Sequence, residues 1–279
     1  MDLSNYHSHC DFCDGKAPME EFVKAAIAGG FRGYGISSHS PMPFDVPCAI
    51  RREKVPDYLA EVTRLKHAYA GQIELHAGME IDYLDETYGP SAPYFQELPL
   101  DYRIGSIHYV THPASGQRMD IDGSETRFRS ALEEIFGGNL AEMVNAYYDA
   151  SERMVELGGF DFIAHPDKVI MNASRHDASL AESRWYIDRV NAYLEKIAAN
   201  GRMIEINTKA FPAWGIIFPA RRHLQRIREL HIPVMVNSDA HVPSAINEGR
   251  AAAFELLREA GFRHTMHLTG GKWTETPIS

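Results

Sequence analysis

LSNYHSH, residues 3–9, is a short apolar segment that runs into two histidines. PMEEFVKAAIAGG at 18–30 follows it and reads as a helix, with proline and acidic residues at its start and two glycines at its end. In extended backbone, side chains two positions apart share a side, so His7 and His9 face the same way. They could hold one ion between them, or they could lie on an exposed edge strand. The triplet alone does not choose. The fold is decided by the recurrence of this unit, a strand that ends in chemistry and is followed by a helix.

FRGYGISSH (31–39) is a second strand, and EKVPDYLAEVTRLKHAYAG (53–71) a second helix. IELHAGMEIDYL (73–84) and DYRIGSIHYV (101–110) are strands, and long helical material at 130–160 breaks at Gly137–Gly138. DFIAHPD (161–167), RMIEINT (202–208) and PVMVNSDAH (233–241) are three more strands, separated by the helices of 179–201 and 220–232. A helix at 246–262 and a short segment, RHTMHLTGG (263–271), complete the chain. No Pro/Gly/Ser linker, internal repeat or low-complexity tract interrupts this β/α alternation, so one domain over 1–279 is expected.

The predicted carboxyl ends of the strands carry His7 and His9, then His39, Glu80, His108, His165, Asp239 and His241. Asp14 sits in the loop after the first strand. In a β/α barrel such residues converge on one rim, which favours a barrel of about seven strands over an open sheet. Taken singly, each has an ordinary structural use; Asp239, for example, could cap a helix. Jointly they form an imidazole–carboxylate set suited to zinc, manganese or iron. Without cations, carboxylates packed so closely would repel and take up protons.

Composition narrows the function classes. Apolar residues make up 44% of 279, enough for a large core. A net charge of −10 disfavours non-specific binding to nucleic acid, and no basic aromatic surface is evident. No apolar run approaches transmembrane length and no leader pattern precedes residue 3, so a cytoplasmic protein without a membrane partner is the simplest expectation. Cys10, Cys13 and Cys48 make no disulfide framework. The C-x-x-C spacing of the first two lacks the second pair a thiolate zinc site would need.

HSH (7–9), SSH (37–39), ME (79–80), SIH (106–108), AHPD (164–167) and SDAH (238–241), in this order, resemble the PHP (polymerase and histidinol phosphatase) family. The resemblance runs from residue 5 to about 265 and is nearest to the monofunctional histidinol-phosphatase branch. It implies an α/β fold, a distorted TIM-like (β/α)7 barrel, with three divalent metal ions per chain. Carried over by position, it implies that His7, His9, Glu80 and Asp239 bind one ion. Glu80 would bridge to a second held by His108 and His165, and His39, His241 and Asp14 would hold a third. Many relatives place histidine where this chain reads CDFCDG, so Asp14 departs from the family pattern and Asp11 is an alternative.

The same resemblance implies hydrolysis of L-histidinol phosphate, a small phosphorylated amino alcohol, to L-histidinol and phosphate in histidine biosynthesis. Water activated by metal would attack phosphorus in line. Asp239 or His241 would orient it or move a proton, with Glu80 as the shared carboxylate. Basic residues of the later loops, Arg175, Lys209 and Arg221, are candidates for the phosphate, and His176 for the substrate's amine or imidazole. Phe211 or Trp214 could wall the pocket. A homodimer is compatible with a small biosynthetic enzyme, although no residue specifies one. Another PHP phosphoesterase, acting on nucleotides or nucleic-acid ends, and a metal-dependent amidohydrolase are the alternative readings.

Overall fold

The computed structural model describes residues 3–278; of the expected 1–279 domain, residues 1, 2 and 279 lie outside the described residues. The strands are β1 (Leu3–Asn5), β2 (Phe31–Ile36), β3 (Glu74–Ala77), β4 (Glu80–Asp82), β5 (Ile104–Ser106), β6 (Tyr109–Thr111), β7 (Arg118–Asp120), β8 (Phe162–Ile163), β9 (Met203–Asn207), β10 (Val234–Asn237), β11 (His264–Thr269) and β12 (Lys272–Pro277). The helices are α1 (Met19–Ala28), α2 (Val55–Ala68), α3 (Pro93–Glu97), α4 (Glu125–Phe136), α5 (Leu140–Leu157), α6 (Ile170–His176), α7 (Arg184–Ala199), α8 (Phe211–Trp214), α9 (Leu224–Glu229) and α10 (Arg250–Glu259). No helix among the described residues is long and apolar enough to cross a membrane.

Two parallel sheets, ordered β1-β2-β3 and β10-β9-β8-β5-β4, join into a ring. Parallel bridges close it on both sides, Ser8 to Ala240 and His39 to Glu80. β3 and β4 are one stave interrupted at Gly78–Met79, so the ring has seven staves: β1, β2, β3/β4, β5, β8, β9 and β10. Close packing requires glycine at the interruption. A Cβ on Gly78 would lie 2.2 Å from the Tyr102 ring, which fills the barrel there. The Tyr58 hydroxyl shares its one proton between the carbonyls of Gly78 (2.7 Å) and Ile36 (2.8 Å), holding the kink against the neighbouring stave.

Where β1 meets β10, side chains replace the backbone ladder. The Tyr6 amide donates to Asn237 Oδ1 (2.9 Å), and the Ser238 amide donates to Asn5 Oδ1 (2.7 Å). Fully buried Arg250, from α10, donates to the carbonyl oxygens of Val236 and Ser4 and so clamps the two staves. At the amino ends of the staves the antiparallel hairpin β11–β12 covers the barrel. Trp273 packs edge-on against Tyr6, Tyr102 and Phe162, and its Nε1 donates to Asp161 (2.9 Å). That end is therefore an aromatic plug, and the opposite end is left for polar groups.

The second hairpin strand β12, the hairpin β6–β7 and the short helices α3, α6 and α8 are additions to the pattern expected from sequence. Of these, β6–β7 stands beside the polar rim, because its first strand begins directly after His108.

Candidate metal centre

The carboxyl ends of the staves bring His7, His9, His39, Glu80, His108, His165, Asp239 and His241 together. Asp14 joins them from the loop after β1. Glu80 is central. Its Oε2 lies 3.1 Å from His7 Nε2, 3.4 Å from His9 Nε2 and 3.0 Å from His39 Nδ1, while its Oε1 meets His165 Nε2 at 2.9 Å. Asp239 Oδ1 lies 3.2 Å from His9 Nε2 and 3.7 Å from His7 Nε2. Asp14 Oδ1 reaches His241 Nε2 at 3.2 Å and stands 3.9 Å from His39 Nε2. Asp11, the alternative, is exposed and belongs to none of these groupings.

Apart from the hydrogen bond between His165 Nε2 and Glu80 Oε1, key atoms that converge do not satisfy one another. His7 Nε2, His9 Nε2, Asp14 Oδ1 and Glu80 Oε2 are buried without a hydrogen-bond partner, although oxygens and nitrogens lie close by. Such groups cost roughly 1–3 kcal/mol each when left unpaired, so they are retained where something else pairs with them. Donor atoms aimed at shared points rather than at each other fit a cation. Four overlapping sets have that spacing: His9, Asp14, His39 and His241; His7, His165 and Asp239; His7, His9 and Glu80; and His39, Glu80 and His108. Because the sets share members, the arrangement is polynuclear in character.

The carboxylates and imidazoles shift one another's protonation in both directions. Burial alone would push Glu80 up, but the imidazoles of His7, His39 and His108 hold it well below the usual carboxylate range. Asp239 is likewise depressed, against burial, by Lys209 and His7. Burial, reinforced by His241 and His39, lowers His9, and burial with Lys168 lowers His165 to about 4. His7 goes the other way: against burial, Glu205, Asp239 and Glu80 raise it well above the usual imidazole range, so a cation bound there would displace its proton. His165 (φ 27°) and Asp239 (φ 50°) also adopt left-handed backbone, as does Asp167 (φ 72°). Each such residue costs of order 1–3 kcal/mol, and they persist where the surroundings hold them.

Behind these residues stands a layer that the sequence reading did not select. Glu205 of β9 accepts from His7 Nδ1 (2.9 Å), from the His165 amide (2.7 Å) and from the side-chain amides of Asn207 (2.8 Å) and Asn237 (2.9 Å). Asp82 pairs with His108 Nδ1 (2.9 Å) and accepts from its amide (2.9 Å). Against the cost of burial, Asp82 and Glu80 raise His108 to about 9. Both carboxylates left a signal. Glu205 is a lone charge between Ile204 and Ile206, and Asp82 lies two residues after Glu80, hence on the same side of the strand. Lys168, directly after AHPD, is buried and paired with Asp122 (2.9 Å).

The candidate substrate groups divide. A cavity of about 160 Å³ opens on the cluster, bounded by Asp14, His39, Asp82 and His108. Met42, Val46 and Tyr109 lie along it, with Asp120, Asp122 and Lys209. Lys209 Nζ is 3.3 Å from both Asp239 Oδ1 and His241 Nε2. Arg175, His176 and Arg221 do not line this cavity. Arg175 stacks on Trp214, its guanidinium carbon 4.1 Å from the ring centroid, and hydrogen-bonds Asn172, whose side chain holds the Gly123 carbonyl at the cavity edge. His176 ends α6 with its Nδ1 buried and unpartnered. Arg221 is a correction to the sequence reading: it pairs with Glu259 (2.8 Å) in a separate groove, because it opens the turn before α9 on the outer face. Trp214 is 59% exposed and Phe211 lines that same outer groove, so neither walls the cavity.

The sequence pattern of the PHP domain matches residues 5–209. A "Probable histidinol-phosphatase" of Deinococcus radiodurans is 27% identical over 275 residues, covering 94% of this chain and 97% of that protein. A histidinol-phosphatase of Bacillus subtilis is 25% identical, covering 86% of this chain and 94% of its own length. The crystal structure of histidinol phosphate phosphatase from Lactococcus lactis, complexed with zinc, L-histidinol and phosphate, superposes with a TM-score of 0.73 at 20% identity. That match covers 97% of this chain and 98% of the other, and it supports the barrel.

Proposed function

Because the chain belongs to the PHP domain family, a family of metal-dependent hydrolases, we propose that it hydrolyses L-histidinol phosphate to L-histidinol and phosphate. The observation that carries the chemistry is the set of buried, unpartnered nitrogen and oxygen atoms of His7, His9, Asp14 and Glu80, aimed at shared points on one rim. The substrate rests on full-length similarity to histidinol-phosphatases, and on a relative whose structure holds L-histidinol and phosphate.

His7, His9, His39, His108, His165, His241, Asp14, Glu80 and Asp239 would hold three divalent ions, of zinc, manganese or iron. Such ions supply charge neutralisation for a phosphoryl group and bring the pKa of a coordinated water toward 7. The chain's own residues do the rest. Glu80 and Asp239 stay ionised among the imidazoles and fix their orientation. Asp239 and His241, on the turn after β10, are the groups placed to orient water and carry its proton. Lys209 Nζ, beside both, is the cation that would meet a phosphate oxygen, and an ammonium there forms a strong charge-assisted bond. Met42, Val46 and Tyr109 offer apolar surface to a flat heteroaromatic ring, and Asp120 and Asp122 offer acceptors to an amine or imidazole N–H.

The test is phosphate release by chelator-stripped enzyme reloaded separately with manganese, zinc or iron. L-histidinol phosphate would be assayed beside a nucleoside monophosphate and an aryl phosphate. Metal-dependent release confined to histidinol phosphate supports the proposal. Release only from the other esters keeps the hydrolase and rejects the substrate, and no release from any ester rejects both.

A further inference from the structure

Cys13, the second cysteine of CDFC, is left over from the chemistry above. We infer that Cys13 is a positioning residue for His9, its thiol serving as the outer partner that sets which ring nitrogen faces the cluster. The inference rests on the proposed metal centre.

Comparison among the imidazoles carries it. His7 Nδ1 is held by the Glu205 carboxylate at 2.9 Å, and His108 Nδ1 by the Asp82 carboxylate at 2.9 Å. His241 Nδ1 meets the Asp239 carbonyl oxygen at 3.0 Å. His9 is wholly buried, and its Nδ1 meets Cys13 Sγ at 3.5 Å. The nearest carboxylate oxygen to that nitrogen, Asp14 Oδ1, is 3.9 Å away, beyond hydrogen-bond reach. The other nitrogen, Nε2, points into the cluster without a hydrogen-bond partner. For Nε2 to present a lone pair, Nδ1 must carry the proton and donate it, and the sulfur is the acceptor in place. Rotation of the thiol hydrogen toward Nδ1 would favour the opposite tautomer, which presents N–H to Asp239 and Glu80.

The loop holds the sulfur still. The Cys13 amide donates to the Cys10 carbonyl (3.0 Å), as does the Gly15 amide (3.1 Å), and the Lys16 amide donates to the His241 carbonyl (2.8 Å). Gly15 is required for this closeness, since a Cβ there would lie 2.5 Å from the backbone of His9 and Cys10. The His9 ring is clamped between His241 and His39, with centroids 4.2 and 4.3 Å away. Only the tautomer is left for a partner to choose. A sulfur is a weaker acceptor than the carboxylates behind His7 and His108, so loss of this partner should weaken the hold of His9 on its ion by a modest factor and not abolish it.

The experiment is titration of the stripped protein with zinc in competition with a chromogenic chelator, for the wild type, Cys13→Ala and Cys13→Ser. Cys13→Ala should lose affinity for one ion by about 10- to 100-fold, the range seen for outer-shell partners. The other sites should be retained and the metal-free unfolding midpoint unchanged. Cys13→Ser, which keeps an acceptor, should recover part of the loss and serves in its place should the alanine variant fold poorly. Competition curves for both variants that superpose on the wild type's overturn the inference. A wild type that binds no zinc overturns the metal centre itself, a separate failure.

Discussion

Glu80 is the residue on which the cluster depends. It is inaccessible to solvent and ionised, and its two oxygens face five imidazoles between them. Glu80→Gln keeps the shape and replaces one oxygen by an N–H₂ that repels cations. Turnover should fall by at least about 100-fold, at or beyond the upper end of what outer-shell changes cost, and bound metal should fall with it. Metal analysis and steady-state assay of the purified variant check this; full metal content with full activity would remove Glu80 from the ligand set. The basic residues make a second contrast. Lys209→Ala should raise KM by about 10-fold, the value of a lost charge-assisted bond of roughly 1.5–3 kcal/mol partly replaced by water. Arg221→Ala breaks an exposed ion pair worth about 0–1 kcal/mol and should leave KM within about twofold. Equal effects of the two substitutions on KM would contradict this division. The rim residues were legible in the sequence because each ends a strand in an unusual polar group. Arg221 and Lys209 were not separable there, because Lys209 follows the strand EINT and Arg221 opens the next predicted helix, and only the three-dimensional path of the chain tells inner from outer.

The β/α alternation at the level of elements was legible from apolar strand segments and capped helices. The barrel's closure was not. Strand periodicity predicts ladders, whereas the β1–β10 seam is made by Asn5, Asn237 and Arg250, whose polar side chains give no local strand signal. Arg250 looks like an ordinary charge at the start of an amphipathic helix, yet it is 1% exposed, and burial lowers its pKa to about 10 while it serves the carbonyls of Ser4 and Val236. The hairpin β6–β7 was hidden for another reason: its strands are three residues each, too short for alternation to register. Arg250→Met preserves bulk but leaves those carbonyls unpaired where the barrel closes. It should destabilise the protein by about 3–5 kcal/mol, the cost of breaking a buried charged network from one side. Urea unfolding followed by far-UV circular dichroism measures it, and a change under about 1 kcal/mol would show that the seam holds without the clamp.

At the scale of the whole molecule, the two ends of the barrel do opposite work. The amino end is plugged by Tyr6, Tyr102, Phe162 and Trp273, a small aromatic cluster that adds to the larger apolar layers packed elsewhere in the molecule. The carboxyl end gathers buried carboxylates and imidazoles, and the facing atoms of His7, His9, Asp14 and Glu80 are unpaired, which opposes folding in the absence of cations. Cations that bind this end in the native state and not in the unfolded chain should therefore raise stability by RT ln(1 + [L]/Kd) per site, about 2.7 kcal/mol at a hundred times Kd. For a chain of this size each kcal/mol is worth roughly 2–4 °C, so one filled site corresponds to about 5–10 °C. Reloading the stripped protein with manganese or zinc should move the calorimetric Tm upward by at least that amount, in a concentration-dependent way. Magnesium, which prefers oxygen ligands and retains its waters, should move it less against this imidazole-rich set. An unchanged Tm across a metal titration that reaches millimolar concentration would mean that the rim neither binds nor needs cations. The unpaired atoms of His7, His9, Asp14 and Glu80 would then have to be satisfied by water.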